Sequence, residues 1–282
     1  MPRIDAKTKV CAVIGHPIGH SLSPEMHNAA FEALELPYVY VAHDVEPGQV
    51  QAALEGIRAL GYRGLSVTIP HKVEAMHAVD EVDETALGIG CINTVVNESG
   101  RLFGTNSDGL GALGALRDAE ADPEGRRVVI LGSGGAIAIT LAREAPPEHI
   151  TILGIELDQL ERLVADVRQR GRSDVKGEEL TDESLRRVLA DADLLLHCSP
   201  VGMHPNEGRS LVPPELLRPQ LVVFDAVYNP RRTKLLEDAA VAGCRTVEGI
   251  EMFLGQAYVQ FELWTGLKAP RDVMRRVVEA RL

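Results

Sequence analysis

Four apolar residues, Val128-Val129-Ile130-Leu131, run without a break into Gly132-Ser133-Gly134-Gly135-Ala136, and a helical pattern follows at once. Few folds place a strand, a glycine-rich turn and a helix start in that order. Such a βαβ entry aims backbone N–H groups at a pyrophosphate. Gly132 is expected to permit the tight turn, Gly134 a close approach of the diphosphate, and Gly135 and Ala136 an open helix entrance, with Ser133 inside the same loop. A plain tight βα turn is the alternative reading. The strand before and the helix after favour dinucleotide binding.

The same alternation runs along the rest of the chain. Strand-like residues 10–14, 38–45 and 65–69 are separated by helix-like residues 24–34, 48–60 and 73–79. Residues 92–96 and 102–104 flank a polar, Gly-containing turn and read as a hairpin. A helix over 108–119 leads into the polar stretch 120–125, where the chain starts again. Strands are then expected at 128–131, 150–153, 194–197 and 222–226, and helices at 135–144, 159–169, 184–190 and 233–242. The tail reads as helices 251–265 and 271–281, which could pack back on the first part of the chain. The expected class is α/β in two domains: one with a mainly parallel sheet, from residues 1–108 together with about 250–282, and a doubly wound domain over about 109–249. A length of 282 residues suits two cores better than one.

Composition narrows the function classes. A net charge of -12 argues against nucleic acid, whose phosphates need a basic face. Cys11, Cys91, Cys198 and Cys244 form no CxxC pair, so structural zinc is not expected, and isolated thiols suit a reducing, cytoplasmic setting. His16 and His20 flank a Pro-Gly turn rather than a helix face, so no metal site is expected there. No apolar run approaches the ~18 residues that suggest a membrane span. Met252, Phe253, Phe261 and Trp264 read as core.

Three polar clusters fall at ends of expected strands, where open sheets bind ligands. They are residues 15–24 (GHPIGHSLSP), residues 66–72 (SVTIPHK), and the pair 92–94 (INT) with 104–109 (GTNSDG). With the glycine loop and Glu262-Leu263-Trp264-Thr265-Gly266, this ordered set resembles the shikimate dehydrogenase family, which includes quinate/shikimate dehydrogenases. The resemblance covers nearly the whole chain. It implies a substrate domain built from both chain ends around a Rossmann cofactor domain, and reversible, NADPH-linked reduction of 3-dehydroshikimate to shikimate. By matching motif, Lys72 and Asp108 become the catalytic pair. Ser21, Ser23 and Thr68 become ligands of the substrate carboxylate, Asn93 and Gln256 ligands of ring hydroxyls, and Tyr228 a neighbour of the cleft. Ser23 and Asp108 could instead cap the helices that follow them, and Ser23 is expected to do so in any case. The resemblance implies a monomer or homodimer acting on a small molecule (shikimate, 3-dehydroshikimate or quinate).

The cofactor reading departs from the family pattern. NADP-binding members carry Asn-Arg-Thr after the second strand of the cofactor domain, whereas this chain has Gly154-Ile155-Glu156. The residues after the glycine loop also lack an arginine. Glu156 and Asp158 are expected to hold a free ribose 2′-hydroxyl, which favours NAD, while NADP is the family default. Both acids could instead decorate a helix N-terminus. A quinate/shikimate dehydrogenase using NAD is the second reading, and a non-catalytic nucleotide sensor a remoter one, since a sensor has no need of a proton donor.

Overall fold

The computed structural model describes residues 4–132 and 134–282. The chain divides into two compact units, Met1–Ser107 with Gln256–Leu282, and Asp108–Gly255. The first begins with β1 (Lys9–Gly15), α1 (Ser23–Ala33), β2 (Tyr38–Asp44), α2 (Val50–Leu60), β3 (Gly64–Val67) and α3 (Lys72–His77). It continues with β4 (Glu81–Val82), α4 (Glu84–Ile89), β5 (Thr94–Glu98) and β6 (Arg101–Thr105). The second holds α5 (Asp108–Asp118), β7 (Arg127–Leu131), α6 (Gly135–Glu144), β8 (His149–Gly154), α7 (Leu157–Arg170) and β9 (Asp174–Glu179). It then runs through α8 (Asp182–Leu189), β10 (Leu194–His197), β11 (Val222–Asp225), α9 (Lys234–Val241) and β12 (Arg245–Val247). The division falls inside α10 (Gly249–Thr265), and α11 (Arg271–Glu279) follows.

The first sheet has the order β2-β1-β3-β5-β6-β4. β1 pairs parallel with β2 and β3, and β4 parallel with β6, while β5 pairs antiparallel with β3 and β6. The expected hairpin is β5–β6. Its turn places Ser99 (φ 54) and Gly100 (φ 92) in the left-handed region, as a two-residue turn between twisted strands requires. One face of this sheet buries Ile14, Leu65, Val95 and Leu102 against Leu54 and Ile57 of α2.

The second sheet, β12-β11-β10-β7-β8-β9, is parallel throughout. The chain steps outward from β7 to β8 and β9, then returns to the other side of β7 at β10. That reversal leaves a crevice beyond the carboxyl ends of β7 and β10, where doubly wound sheets bind ligands. Its core draws on Leu131, Leu153, Leu195 and Val223 with Leu185 and Leu236 of the flanking helices.

Strands β4, β9 and β12 and helix α4 were not expected. All three strands are sheet edges, and β9 reads Asp-Val-Lys-Gly-Glu-Glu with only Val175 buried. Charged edges block pairing with other chains, so they lose the apolar alternation that reveals a strand. The core expectation for α10 holds for Phe261 and Trp264, which are buried, whereas Met252 and Phe253 are half-buried. No helix among the described residues is long and apolar enough to cross a membrane.

On the other face of the first sheet, the His27 ring of α1 lies 4.6 Å from the Tyr40 ring, nearly parallel, and 5.3 Å from Trp264. It is fully buried, and among the described residues neither ring nitrogen has a hydrogen-bond partner. Desolvation therefore pushes its pKa down to about 3. The folded chain binds this proton less readily than the unfolded chain does, so His27 leaves stability untouched above about pH 6.5 and erodes it as pH falls from there toward 3. The loss amounts to roughly 1.4 kcal/mol per pH unit. We expect His27→Phe to remove that slope: between pH 6.5 and 4.5 the stability gap between the two proteins should shift by about 2–3 kcal/mol in favour of the variant. Urea unfolding at both pH values checks this, and equal pH slopes would refute the buried-histidine account.

Candidate active site

The carboxyl ends of β1 and β3 gather most of the expected substrate residues of the first unit. Thr68 N–H donates to Ile14 O at 3.0 Å and His16 N–H to Ile69 O at 3.1 Å, which ties the two loops together. Lys72 is the first residue of α3. Its N-cap, His71, is 1% exposed, and His71 Nε2 donates to Val45 O at 2.7 Å. Lys72 O in turn accepts Ile92 N–H at 3.1 Å, and Asn93 O accepts Val67 N–H at 2.8 Å. The backbone thus fixes Lys72 against the 92–94 segment from both sides. His16 turns to Asp44 (2.9 Å), and no cluster able to hold a metal occurs among the described residues.

Ser23 does not cap α1. The N-cap is Leu22, no side chain caps the helix, and Ser23 stands one residue inside it, its N–H directed at Ser21 Oγ (3.3 Å). Pro24 explains the shift, since a proline is tolerated in the first turn, where its missing N–H has no intrahelical partner. The Ser23 hydroxyl instead bonds the Tyr40 phenol, whose pKa burial drives above its usual range.

From Tyr40 a chain of buried hydrogen bonds crosses the unit. Tyr40 Oη donates to Ser66 Oγ (2.7 Å), Ser66 Oγ to Gln260 Oε1 (2.8 Å), Gln260 Nε2 to Thr94 Oγ1 (2.9 Å), and Thr94 Oγ1 to Asn93 Oδ1 (2.6 Å). Asn93 Oδ1 also accepts Ser107 N–H at 2.8 Å and Ser107 Oγ at 3.1 Å. Three donors on one oxygen fix the amide orientation, with oxygen toward the network and Nδ2 as the opposite, donating side. Ser107 immediately precedes Asp108, which opens α5, so Asp108 is a first-turn residue rather than a cap in front of the helix. Gln256 is half-buried on α10.

In the second unit the glycine loop sits where the sequence puts it, between β7 and α6. Gly132 has φ +91, and a Cβ there would meet Cys198 O and Ser199 Cβ at 3.0 Å. A Cβ on Gly134 would lie 2.8 Å from Cys198 Cβ, so packing against the loop after β10 by itself demands glycine there. Gly135 and Ala136 open α6; Ser133 lies outside the described residues. A cavity of about 210 Å³ is lined by Gly132, Gly154, Ile155, Glu156, Gln159 and Ser199 among others, and among the described residues no Lys, Arg or His lines it. Glu156 is the N-cap residue of α7 but makes no capping bond. Asp158, in the first turn of α7, does not line the cavity. Tyr228, after β11, stacks on Phe253 at 5.0 Å. The left-handed turn at Gly132 and the start of α6 fit the diphosphate of a nicotinamide dinucleotide.

Two family models match the chain: the shikimate dehydrogenase substrate binding domain over residues 13–95, and the shikimate 5'-dehydrogenase C-terminal domain over residues 249–279. A shikimate dehydrogenase (NADP(+)) of Methanopyrus kandleri is 46% identical over 280 residues, covering 98% of this chain and 96% of the relative. The chain belongs to the shikimate dehydrogenase family. Among solved structures, shikimate 5-dehydrogenase of Listeria monocytogenes in complex with shikimate and NAD superposes with a TM-score of 0.94 at 36% identity, covering 99% of both chains. A shikimate dehydrogenase in complex with NADP+ gives 0.92 at 38% identity, covering 99% of this chain and 98% of the other.

For this member of the shikimate dehydrogenase family, the motifs include Ser66 and Thr94 without marking their role, and miss the buried Tyr40 and Gln260 that join them to Ser23 and Asn93. Isolated polar residues inside apolar strand and helix patterns are the only trace they leave. Gln260 is 2% exposed and joins both halves of that chain. We expect Gln260→Leu to strand the Ser66 and Thr94 hydroxyls and cost about 2–4 kcal/mol, against less than about 0.5 kcal/mol for Gln51→Leu on the exposed face of α2. Chemical denaturation of both variants measures the difference, and equal costs would show that the buried amide is not a keystone.

Proposed function

We propose that this chain catalyses the reversible, NAD-linked interconversion of shikimate and 3-dehydroshikimate, with Lys72 and Asp108 as the proton-transfer pair. The observation that carries the cofactor choice is the cavity beside Gly132, which Glu156 lines and which no Lys, Arg or His lines among the described residues. The solved relative holding shikimate and NAD supports the same pairing of ligands, while the curated relative named for NADP+ makes the cofactor the part that needs testing.

When bound, the nicotinamide supplies or takes up the hydride at the ring carbon. The protein's task is the accompanying proton. During reduction the ketone oxygen gains negative charge, and the Lys72 ammonium stabilises it and delivers one proton to it, so that carbonyl, hydride and proton balance as a secondary alcohol. During oxidation the same amine takes the hydroxyl proton. Asp108 orients the Lys72 amine and accepts from a neighbouring ring hydroxyl. Ser21 and Thr68 donate to the substrate carboxylate without a counter-cation, while Ser23, whose hydrogen goes to Tyr40, closes the same loop beside them. Asn93 donates Nδ2–H to a ring hydroxyl oxygen, the orientation its saturated Oδ1 imposes, and Gln256 and Tyr228 are further substrate ligands.

Lys72→Met should lower turnover by roughly 10²–10⁴ with substrate affinity much less affected. The check is steady-state oxidation of shikimate followed at the absorbance of the reduced cofactor, with shikimate binding measured separately. Wild-type turnover in the variant would remove Lys72 from the mechanism. Shikimate and quinate assayed with each of NAD and NADP decide the rest: the best efficiency should come with shikimate and NAD. Preference for NADP would overturn the cofactor reading and leave the chemistry standing, whereas preference for quinate would favour the quinate/shikimate dehydrogenase reading.

A further inference from the structure

Beyond the glycine loop, the cofactor cavity has a second wall whose polar group no motif points to. Ser199 lies just past the carboxyl end of β10 and lines the cavity with Gly132 and Glu156. Its Oγ is 2.6 Å from Nε2 of His197, the last residue of β10. His197 Nδ1 is 2.9 Å from Oδ1 of Asp225, the last residue of β11. His197 is 2% exposed and Asp225 fully buried.

Asp225 settles the direction of these bonds. Its carboxylate accepts Val227 N–H at 3.0 Å and Thr233 Oγ1–H at 2.6 Å besides His197. A buried carboxylate with that many donors is an acceptor throughout, so His197 carries hydrogen on Nδ1. In the neutral imidazole Nε2 is then an acceptor, and the one hydrogen of Ser199 is committed to it. The Val201 N–H, 3.3 Å away, points at the same oxygen. Toward the cavity, therefore, Ser199 offers a lone pair and no hydrogen.

The order carboxylate, imidazole, hydroxyl is also that of a nucleophile-activating triad. Here the hydroxyl sits two residues from its own histidine, already receives the Val201 amide, and opens on a crevice built from a glycine turn. The array is better suited to orienting a hydroxyl than to attacking an acyl group.

We propose that Ser199, its polarity set by the buried His197–Asp225 pair, is a cofactor-binding group that accepts a hydrogen bond from the adenosine half of NAD, and that His197 is its positioning residue. The proposal rests on the NAD reading above. With Glu156, the cavity then offers a carboxylate and a hydroxyl lone pair beside the neutral Gln159 amide, and no cation among the described residues. Such a wall suits ribose hydroxyls or an exocyclic amine and is mismatched to a phosphate, which brings only acceptors.

Two variants separate this role from a structural one. Ser199→Ala removes the acceptor. His197→Asn keeps an N–H for Asp225 but cannot reach Ser199. Calorimetric titration with NAD should show each weakening affinity about tenfold, the loss of one well-made hydrogen bond, with binding of nicotinamide mononucleotide, which lacks the adenosine half, unchanged. KM for NAD should rise while turnover at saturating NAD and KM for shikimate hold. In the Ser199→Ala background, His197→Asn should add little, because it acts through the hydroxyl already lost. Unchanged NAD affinity in Ser199→Ala overturns the proposal, as does equal weakening of NAD and the mononucleotide, and either result stands apart from the wild-type NAD against NADP comparison. If His197→Asn does not fold, Ser199→Ala alone still decides.

Discussion

An amide buried in the middle of an α/β layer must find partners for its oxygen and both hydrogens, or its desolvation outweighs what the surrounding apolar contacts contribute. Gln260 meets that condition by facing two hydroxyls and a backbone carbonyl at once: Ser66 on β3, Thr94 on β5, and Asn93 O at 3.3 Å. Because every link has one hydrogen to give, the direction propagates. Tyr40 must donate to Ser66, so Ser23 must donate to Tyr40; Thr94 must donate to Asn93, so the Asn93 oxygen is consumed. Ser23 and Asn93, at opposite ends of the chain of bonds, have their hydrogen-bonding sense set by one glutamine. Helix α10 supplies that glutamine, and Trp264 anchors the same helix by donating Nε1–H to Val95 O at 3.1 Å over Gly64, where any Cβ would strike the indole.

The second unit meets the same problem with charge. Asp225 is as buried as Gln260, but a carboxylate only accepts, so it orders donors around itself rather than relaying a direction. Placing such a group at the carboxyl end of a parallel strand costs several kcal/mol in desolvation unless hydrogen bonds offset it. The Val227 amide, the Thr233 hydroxyl and the His197 imidazole do so. Each unit thus carries a buried polar network next to loops in which its sequence motifs lie, and in each a loop side chain takes its donor or acceptor sense from that network.

How much of this could be read in the sequence follows from where each signal lies. Local signals were strong: the glycine loop and the helices with apolar stripes stand where the pattern put them, and the hairpin forms as expected, though its turn narrows to Ser99–Gly100 because Asn97 and Glu98 pair within β5. Edge strands β9 and β12 were not legible because their residues answer to solvent and to the suppression of edge pairing, not to a core. At the candidate site, loop residues were legible because they cluster in short motifs. Tyr40 and Gln260 were not, since Gln260 lies 194 residues from Ser66, to which both bond, and only the folded sheet brings them together. Ser199 escaped for a related reason: nothing in the run His197-Cys198-Ser199-Pro200 announces a carboxylate that arrives from the next strand. Glu156 and Asp158 were indistinguishable in sequence, and the start of α7 decides between them: Glu156, still extended before the helix, lines the cavity, and Asp158, in the first turn, does not.

The cofactor question turns on which of two electrostatic effects is larger. A carboxylate about 5 Å from a phosphate charge repels it by roughly 1 kcal/mol in water, and salt reduces that further. A charge-assisted bond from an arginine to the same phosphate contributes about 1.5–3 kcal/mol. The missing cations after β8 and after the glycine loop therefore weigh more than the presence of Glu156. On that account, replacing Glu156 alone could neutralise a repulsion but could not supply the attraction that NADP requires. A switch in preference would need a guanidinium placed on the cavity wall. It would also need a donor in place of the Ser199 lone pair, which ties the choice of nicotinamide to a histidine and an aspartate that never touch it.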